Sequence, residues 1–238
     1  MEAPSLDAQG EYWGAWGVES ARGEGKGDVY DDRVCQLVRE VALRCASRER
    51  AADVGCGTGW ITRVLEASFE HVWATELAPA SIRVARQASP KADFCEGDFL
   101  ALELPAPVDL TVTCEVVAHV RDQPAFFARC RKLTKLGGRL LVLTQNPVTW
   151  SRNSYAHPAN PKQLRHWLSR ADVRALCEGA DFRVESIRTL EPMGDKGLLW
   201  WRPYAQGALR RVIGRERAKA FFEWLRLGRT LVVEAVAV

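Results

Sequence analysis

The chain has 238 residues, 47% of them hydrophobic, and a formal net charge of +3. This length and composition predict one large α/β domain over 1–238 with a sizeable buried core. The small net charge gives no general case for nucleic-acid binding, and no stretch approaches the ~20 apolar residues of a membrane span, so we expect neither kind of partner.

Cysteine usage and the amino-terminal segment bear on compartment and metal binding. The seven cysteines, at 35, 45, 56, 95, 114, 130 and 177, form no Cys-x-x-Cys pair and no His-paired spacing. That pattern argues against a zinc site and against a disulfide framework, so we expect no metal and a reducing compartment. Residues 1–27 are acidic, Gly-rich and aromatic, without the organisation of a signal peptide. We therefore expect a cytoplasmic protein.

Short apolar runs alternate with helical periodicity between residues 34 and 144. The apolar runs predict strands at 51–54, 71–75, 92–96, 108–113 and 139–144. The periodic stretches predict helices at 34–45, 60–65, 79–88 and 125–133. Because short connections join these elements, the alternation predicts a parallel sheet with helices on both faces.

The pattern changes after Thr144. A Pro/Asn/Ser-rich loop at 146–161 precedes a predicted helix at 161–177, and further strands are predicted at 182–189 and 231–236. The last strand comes directly after a helical insert, 191–228, so we expect it to join the sheet antiparallel to its neighbour.

The run from Asp53 to Trp60, DVGCGTGW, is the most informative motif. Its alternate glycines let the backbone turn tightly and approach a ligand, and the helix that follows offers free N–H groups. A dinucleotide site would need glycine where Trp60 stands, and Asp53 would repel a pyrophosphate. The motif therefore favours a nucleoside cofactor that has no phosphate and carries positive charge.

Five motifs in register extend this interpretation: DVGCGTG at 53–59, Glu76 after the second strand, Gly97-Asp98-Phe99 after the third, VDLTVTCEVVAH at 108–119 and LTKLGGRLLVL at 133–143. Together they resemble the class I S-adenosylmethionine-dependent methyltransferases, and the fourth motif resembles the small-molecule, ubiquinone-biosynthesis-like branch. The resemblance covers roughly residues 30–145. It implies the Rossmann-like, seven-stranded methyltransferase sheet, mostly parallel, with an antiparallel last strand.

The resemblance also implies roles for individual residues. Asp53 would stabilise the cationic methionine portion of S-adenosylmethionine, Glu76 would hold both ribose hydroxyls, and Asp98 would accept a hydrogen bond from the adenine amine, with the backbone N–H of Phe99 donating to the ring. The full cofactor-binding set predicted in this way is Asp53, Gly55, Cys56, Gly57, Gly59, Glu76, Leu77, Gly97, Asp98, Phe99, Cys114 and Glu115.

His119 is the candidate catalytic residue, because it ends the fourth motif near the carboxyl edge of the predicted sheet. It would remove a proton from the acceptor during in-line methyl transfer. The alternative is a structural histidine that orders the loop. No Asp-Asp-Asn constellation follows the fourth strand, so metal assistance is not expected.

Aromatic residues outside the core motifs suggest where the acceptor binds. The candidate acceptor-binding residues are Tyr12, Trp13, Trp16, Tyr30, Asn146, Trp150, Tyr155, Trp200 and Trp201. With nine tryptophans in the chain, they favour a flat apolar pocket for an aromatic acceptor, although ordinary core packing explains them equally well. We accordingly divide the domain into an N-terminal lid segment (1–30), a cofactor-binding core (31–145) and an acceptor-side half (146–238) whose insert 191–228 forms a second lid.

The predicted function is methylation of a hydroxyl or nitrogen on a small, aromatic natural-product or quinone-like metabolite. An RNA or protein methyltransferase is the first alternative, with the basic segment 202–229 as its docking surface. A cofactor-binding protein without turnover is the second. The oligomeric state is left open.

Overall fold

One seven-stranded sheet forms the centre of the molecule. The computed structural model describes the backbone of residues 4–23, 29–103, 105–151, 161–192 and 211–238, and the side chains in these ranges apart from 16–31, 192 and 215. The strands are β1 (Arg50–Val54), β2 (His71–Glu76), β3 (Asp93–Glu96), β4 (Val108–Cys114), β5 (Thr134–Gln145), β6 (Phe182–Pro192) and β7 (Gly228–Ala237). Their spatial order is β3-β2-β1-β4-β5-β7-β6.

Helices connect the strands and cover the sheet. The described helices are α1 (Leu6–Gly23), α2 (Val29–Leu43), α3 (Trp60–Glu66), α4 (Pro79–Ala88), α5 (Gln123–Leu133), α6 (Pro147–Trp150), α7 (Arg170–Gly179) and α8 (Arg215–Trp224). Local sequence explains several of their starts: proline stands in the first turn of α4, α5 and α6, where its missing N–H costs nothing.

The strand directions confirm the predicted Rossmann-like methyltransferase sheet, mostly parallel with an antiparallel last strand. β1 pairs in parallel with β2 and β4, β2 with β3, and β4 with β5. β7 is antiparallel to both β5 and β6. Because β1 to β5 run in the same direction, their carboxyl ends share one edge, the place where ligands bind in such sheets.

The core has two layers, one on each face of the sheet. Residues that alternate along β1 and β5 belong to different apolar clusters, as expected when successive side chains point to opposite faces. One layer contains Phe126 and Phe127 of α5, and the other contains Val34 and Val38 of α2. β4 is buried almost throughout, which is typical of a strand covered on both faces.

The predicted helix at 161–177 is wrong in its first half, since α7 begins only at Arg170. The Ser169 hydroxyl accepts from the Asp172 N–H (3.2 Å) and the Asp172 carboxylate accepts from the Ser169 N–H (2.9 Å), a capping box that fixes the start of the helix. The preceding residues instead bond to the turn after β4: the His166 N–H donates to the Ala118 carbonyl at 2.7 Å.

The strand predicted from Arg139 begins earlier in the structure. β5 starts at Thr134, directly after α5. The Thr134 and Thr111 hydroxyls hydrogen-bond each other at 2.8 Å, and Thr134 also donates to the Cys130 carbonyl at 2.7 Å. The glycine pair 137–138 therefore lies within the strand.

Helix α1 packs closely on the connection between β2 and α4. A Cβ atom at Gly10 would lie 3.4 Å from the Leu77 carbonyl oxygen, and one at Gly14 would lie 3.3 Å from the Ala80 Cβ. These two positions are one helical turn apart and therefore on the same face of α1. The N-terminal segment thus lies over the carboxyl end of β2.

Helix α8 is fixed to α2 and β6 by a group of charges. Arg33 of α2 forms ion pairs with Glu223 of α8 and Glu191 of β6, and the buried Lys219 pairs with Glu191 at 3.2 Å. Opposite charges satisfy each other here, as buried ions require. Across the described ranges, none of the helices combines the length and the apolar character needed to cross a bilayer.

Candidate functional site

The glycine run forms a tight loop between β1 and α3, at the carboxyl edge of the sheet. The N–H groups of Gly55 and Cys56 both donate to the Thr75 carbonyl, at 2.8 and 2.9 Å, which fixes the loop to the end of β2. Gly57 has φ +54, and a Cβ atom placed there would meet nothing within 4 Å. The loop therefore leaves open space beside Gly57, on the side where a ligand would approach.

Asp53 lies beneath this loop and is 1% exposed. Its Oδ2 accepts from the Thr62 hydroxyl of α3 at 2.7 Å, whereas its buried Oδ1 has no partner among the described residues. Burial raises the pKa of Asp53 to about 7, against the lowering effect of the Thr62 hydrogen bond. An unpartnered carboxylate oxygen of this kind fits a cationic ligand group.

Glu76 ends β2 beside the loop. Its Oε2 accepts from the Gly57 N–H at 2.9 Å and its Oε1 accepts from the Ala78 N–H at 2.8 Å. Burial raises its pKa, and the backbone donors oppose that effect. Each oxygen keeps a further lone pair, so the carboxylate is oriented to accept two hydroxyl groups. Leu77, the next residue, lies under Gly10 of α1.

The loop after β3 brings a third acid to the same edge. The Gly97 N–H donates to the Glu76 carbonyl at 2.9 Å, and the Asp98 Oδ1 accepts from the Leu100 N–H at 3.0 Å. The Phe99 ring points into the core, edge-on to Phe126 with ring centroids 5.3 Å apart. Only the backbone of Phe99 is therefore placed to contact a ligand, as the predicted N–H donor requires.

Cys114 and Glu115 lie at the end of β4, next to the glycine loop. Glu115 has φ +59, a conformation uncommon outside glycine, and its N–H donates to the Leu143 carbonyl at 2.8 Å. Its side chain accepts from the Thr230 hydroxyl of β7 at 3.1 Å. Glu115 thus joins β4 to β7, and this contact directs its carboxylate toward the β7 side of the sheet.

His119 ends a single 3-10 turn, Val117–His119, after β4. Its Nδ1 lies 2.6 Å from the Leu164 carbonyl oxygen, which can only accept, so Nδ1 carries the hydrogen and Nε2 presents a lone pair. Burial lowers the pKa of His119 to about 4, so the ring is neutral at physiological pH. The predicted structural contact is present, and the unprotonated Nε2 is also in the form that a base requires.

Aromatic residues of α1 cover this histidine. The Trp13 ring lies 4.5 Å from the His119 ring, centroid to centroid, and Tyr12 meets Trp13 edge-on at 4.9 Å. One predicted acceptor-binding residue, Trp13, therefore contacts the predicted catalytic residue, and a second, Tyr12, contacts Trp13. The backbones of Trp16 and Tyr30 are helical, but their side chains lie outside the described part of the structure.

Asn146 and Trp150 contact the start of β7. The Asn146 amide donates to the carbonyls of Gly228 (2.7 Å) and Arg226 (3.1 Å), and the Trp150 indole N–H donates to the Arg229 carbonyl at 2.9 Å. Both side chains thus fix the chain that follows α8, and neither is brought to His119 by these contacts. Tyr155, Trp200 and Trp201 lie outside the described residues.

Comparisons with known proteins agree with this geometry. A family model described as a methyltransferase domain matches residues 52–142. The chain is 32% identical over 150 residues to a probable S-adenosylmethionine-dependent methyltransferase of Mycolicibacterium smegmatis, covering 63% of this chain and 57% of the relative. It is 40% identical over 107 residues to a ubiquinone biosynthesis O-methyltransferase of Xylella fastidiosa, covering 42% and 43%.

A solved structure extends the likeness of the fold along almost the whole chain. It is the magnesium protoporphyrin IX methyltransferase of Synechocystis PCC 6803 with bound SAH, which has a TM-score of 0.63 at 16% identity and covers 96% of this chain and 97% of its own. In its motifs, its fold and the family model that it matches, the chain is similar to the class I S-adenosylmethionine-dependent methyltransferases. It spans about half the length of the curated relatives it matches.

S-adenosylmethionine is therefore the cofactor of this domain, and the residues present fit it. The orphaned Asp53 Oδ1 suits a positive charge, Glu76 offers two oriented oxygens, and Gly57 leaves the approach open. Within the described residues, no group of three or more His, Cys, Asp or Glu side chains is arranged to hold a metal ion. The absence of a metal stays a prediction.

Sequence reasoning missed two polar residues that contact predicted site residues. Thr62 lies on α3 and holds Asp53, and Gln145 ends β5 with its Nε2 3.4 Å from the His119 Nε2. A signal for Thr62 was available, because it lies three residues after Gly59 and so in the first turn of the helix that the motif opens. The sequence carries no comparable signal for Gln145, since no motif ends at that position.

Proposed function

We propose that this protein transfers a methyl group from S-adenosylmethionine to a hydroxyl or nitrogen of a small, aromatic metabolite of the natural-product or quinone type. The observation that carries the proposal is the position of His119 and Trp13 beside the predicted cofactor residues. Gly55, in the cofactor loop, approaches Val116 so closely that a Cβ atom would lie 2.2 Å from that side chain. The turn that carries His119 is thus packed directly on the cofactor loop.

The residues of the cofactor-binding core would bind and orient S-adenosylmethionine. Asp53, Glu76 and Asp98 are the three acids at the carboxyl edge, and we propose that they hold the methionine ammonium, the ribose hydroxyls and the adenine amine. When bound, the cofactor supplies an electrophilic methyl group on a positively charged sulfur. Acceleration then depends on holding the acceptor in line in a site from which water is excluded.

The residues on the acceptor side of the site would exclude water and receive the acceptor proton. α1 covers the site with Trp13, and we propose that the segment 1–30 acts as a lid. His119, neutral and fixed through Nδ1, presents Nε2 to the acceptor side. Names of similar proteins support a small-molecule acceptor, because one relative is named for ubiquinone biosynthesis and one similar structure for magnesium protoporphyrin IX.

Substitution of Gly57 by valine tests the cofactor site directly. A side chain at this position would enter the open space beside the loop, so we expect the dissociation constant for S-adenosylhomocysteine, measured by calorimetry, to rise at least ~100-fold. Gly137→Val is the matched control, since Gly137 also has a positive φ (+75) and open surroundings but lies at the start of β5. Comparable binding by the two variants would refute the assignment.

A further inference from the structure

Gln145 is a buried polar residue that the five motifs leave without a role. It is the last residue of β5 and is 8% exposed. Its Oε1 lies 3.4 Å from the Thr144 hydroxyl, which donates to it, and its Nε2 lies 3.4 Å from the His119 Nε2. The Thr144 contact therefore directs the amide NH2 group toward the imidazole.

The protonation of His119 defines what this pair offers to a ligand. Because Nδ1–H donates to the Leu164 carbonyl, Nε2 can only accept, and Gln145 must donate to it. Their separation of 3.4 Å is at the long end for a hydrogen bond. Side by side at the carboxyl edge of the sheet, the two residues present one acceptor and one donor, both uncharged.

We propose that Gln145 and His119 together bind the reacting oxygen of the acceptor, and that the acceptor group is a hydroxyl. This inference rests on the proposed methyltransferase function. A hydroxyl would replace Gln145 as the donor to the one lone pair of the His119 Nε2, and its oxygen would accept from the Gln145 amide. An oxygen about 2.8 Å from both nitrogens is compatible with their separation, since two such bonds span distances up to roughly twice that length.

The count of lone pairs distinguishes oxygen from nitrogen at this site. A hydroxyl oxygen has two lone pairs, so one accepts from Gln145 while the other attacks. A neutral amine has a single lone pair, and a hydrogen bond from Gln145 would occupy it. In the transfer, the new O–C bond forms as the C–S bond breaks, the C–S electron pair stays on sulfur, and the hydroxyl proton passes to the His119 Nε2 and then to solvent.

Phenol and its methyl ether, anisole, are the probes that test this inference, because they differ in the hydroxyl hydrogen. The protein is saturated with S-adenosylhomocysteine, and the ¹⁵N signal of the His119 Nε2 is followed by NMR. We expect phenol to shift this signal and to bind roughly five- to tenfold more tightly than anisole. Gln145→Met should weaken phenol binding by a similar factor, while Gln36→Met, the same change at an exposed site on α2, should leave it unchanged.

Two results would overturn the inference: no phenol-induced shift up to the solubility limit, or equal phenol affinity in wild type and Gln145→Met. Tighter binding of aniline than of phenol would also oppose it. Calorimetry with S-adenosylhomocysteine alone separates this failure from that of the proposed function. If the wild type does not bind that molecule, the proposed function fails, whereas normal binding with unchanged phenol affinity in Gln145→Met removes only the hydroxyl site.

Discussion

The burial of Asp53 makes cofactor binding depend on pH. Its pKa is raised to about 7 by desolvation, so below that pH the free protein holds a neutral carboxyl group. A cationic ammonium group binds the ionised form better, so binding must release this proton. We expect the affinity for S-adenosylhomocysteine to fall by up to about tenfold per pH unit below pH 7.

Asp53→Asn isolates this effect, because asparagine has a similar shape and can still accept from Thr62. The variant should bind more weakly than wild type above pH 7 and should show a smaller pH dependence, measured by calorimetry between about pH 5.5 and 8. Any titration of the ligand itself is common to both proteins. Identical slopes in the two proteins would show that Asp53 does not titrate on binding.

The neutral state of His119 has a consequence for stability. Its pKa is lowered to about 4 by burial, from an ordinary value of 6.5. Between these values the unfolded chain binds a proton that the folded protein does not, so the free energy of unfolding should decrease as pH falls from 6.5 to 4. His119→Asn should lose less stability over this range than wild type, as measured by urea denaturation.

A second histidine serves as the control for this experiment. His71 is exposed at the start of β2, so His71→Asn should keep the wild-type pH dependence. Equal pH dependence in His119→Asn and wild type would mean that His119 titrates near its ordinary value in the folded protein. In that case burial would not hold the folded-state ring neutral.

At the scale of elements, the close contact of α1 tests whether this helix covers the cofactor. Gly14→Leu would force α1 away from Ala78 and Ala80, since even a Cβ atom there lies 3.3 Å from the Ala80 side chain. We expect a roughly tenfold weaker affinity for S-adenosylhomocysteine, because the helix then no longer excludes water from the site beside Leu77. Ala15→Leu, on the exposed side of α1, should bind as the wild type does.

Elements with a local cause were predictable, and those with a distant cause were not. The strand β1 and helix α3 follow from an apolar run, an acid and three glycines. The non-helical course of 161–169 instead depends on the turn after β4: His119 donates to Leu164, and the Gln123 amide donates to the His166 carbonyl at 2.8 Å. These partners are more than 40 residues away, so helical periodicity alone gave the wrong structure.

At the scale of the whole molecule, the two halves of the chain differ in the same way: local sequence determines much of the first half, and distant contacts determine more of the second. The sequence of 31–145 predicted the succession of strands along the chain and a parallel sheet. The motifs put Asp53, Glu76 and Asp98 at or after the ends of strands, and parallel strands place their carboxyl ends together. Asn146 and Trp150 were assigned to the acceptor from composition. Their hydrogen bonds to the start of β7 depend on strand pairing between residues about 80 positions apart, which composition does not report.

The charge of the whole molecule bears on the alternative of an RNA substrate. This alternative rests on the basic segment 202–229. Two cations of that segment have partners within the protein: Lys219 is buried against Glu191, and Arg229 lies over the Trp150 ring at 5.8 Å. Arg211, Arg217 and Arg226 are the exposed cations among the described residues of that segment. Arg202, Arg210 and the Arg215 side chain lie outside the described part of the structure. If the three exposed arginines were the phosphate contacts, the salt dependence would be shallow, with a slope near −3 in a plot of log affinity against log salt.

We therefore expect only weak binding of unfractionated transfer RNA at ~150 mM salt, with a dissociation constant above ~10 µM. The measurement is fluorescence anisotropy at several salt concentrations, with the triple variant R211A/R217A/R226A as the comparison. Nanomolar binding that is steeply salt-dependent and lost in the triple variant would favour an RNA substrate over a small molecule. Weak binding that the triple variant leaves nearly unchanged would show that these arginines form a solvated surface, and would oppose an RNA substrate docked on this segment.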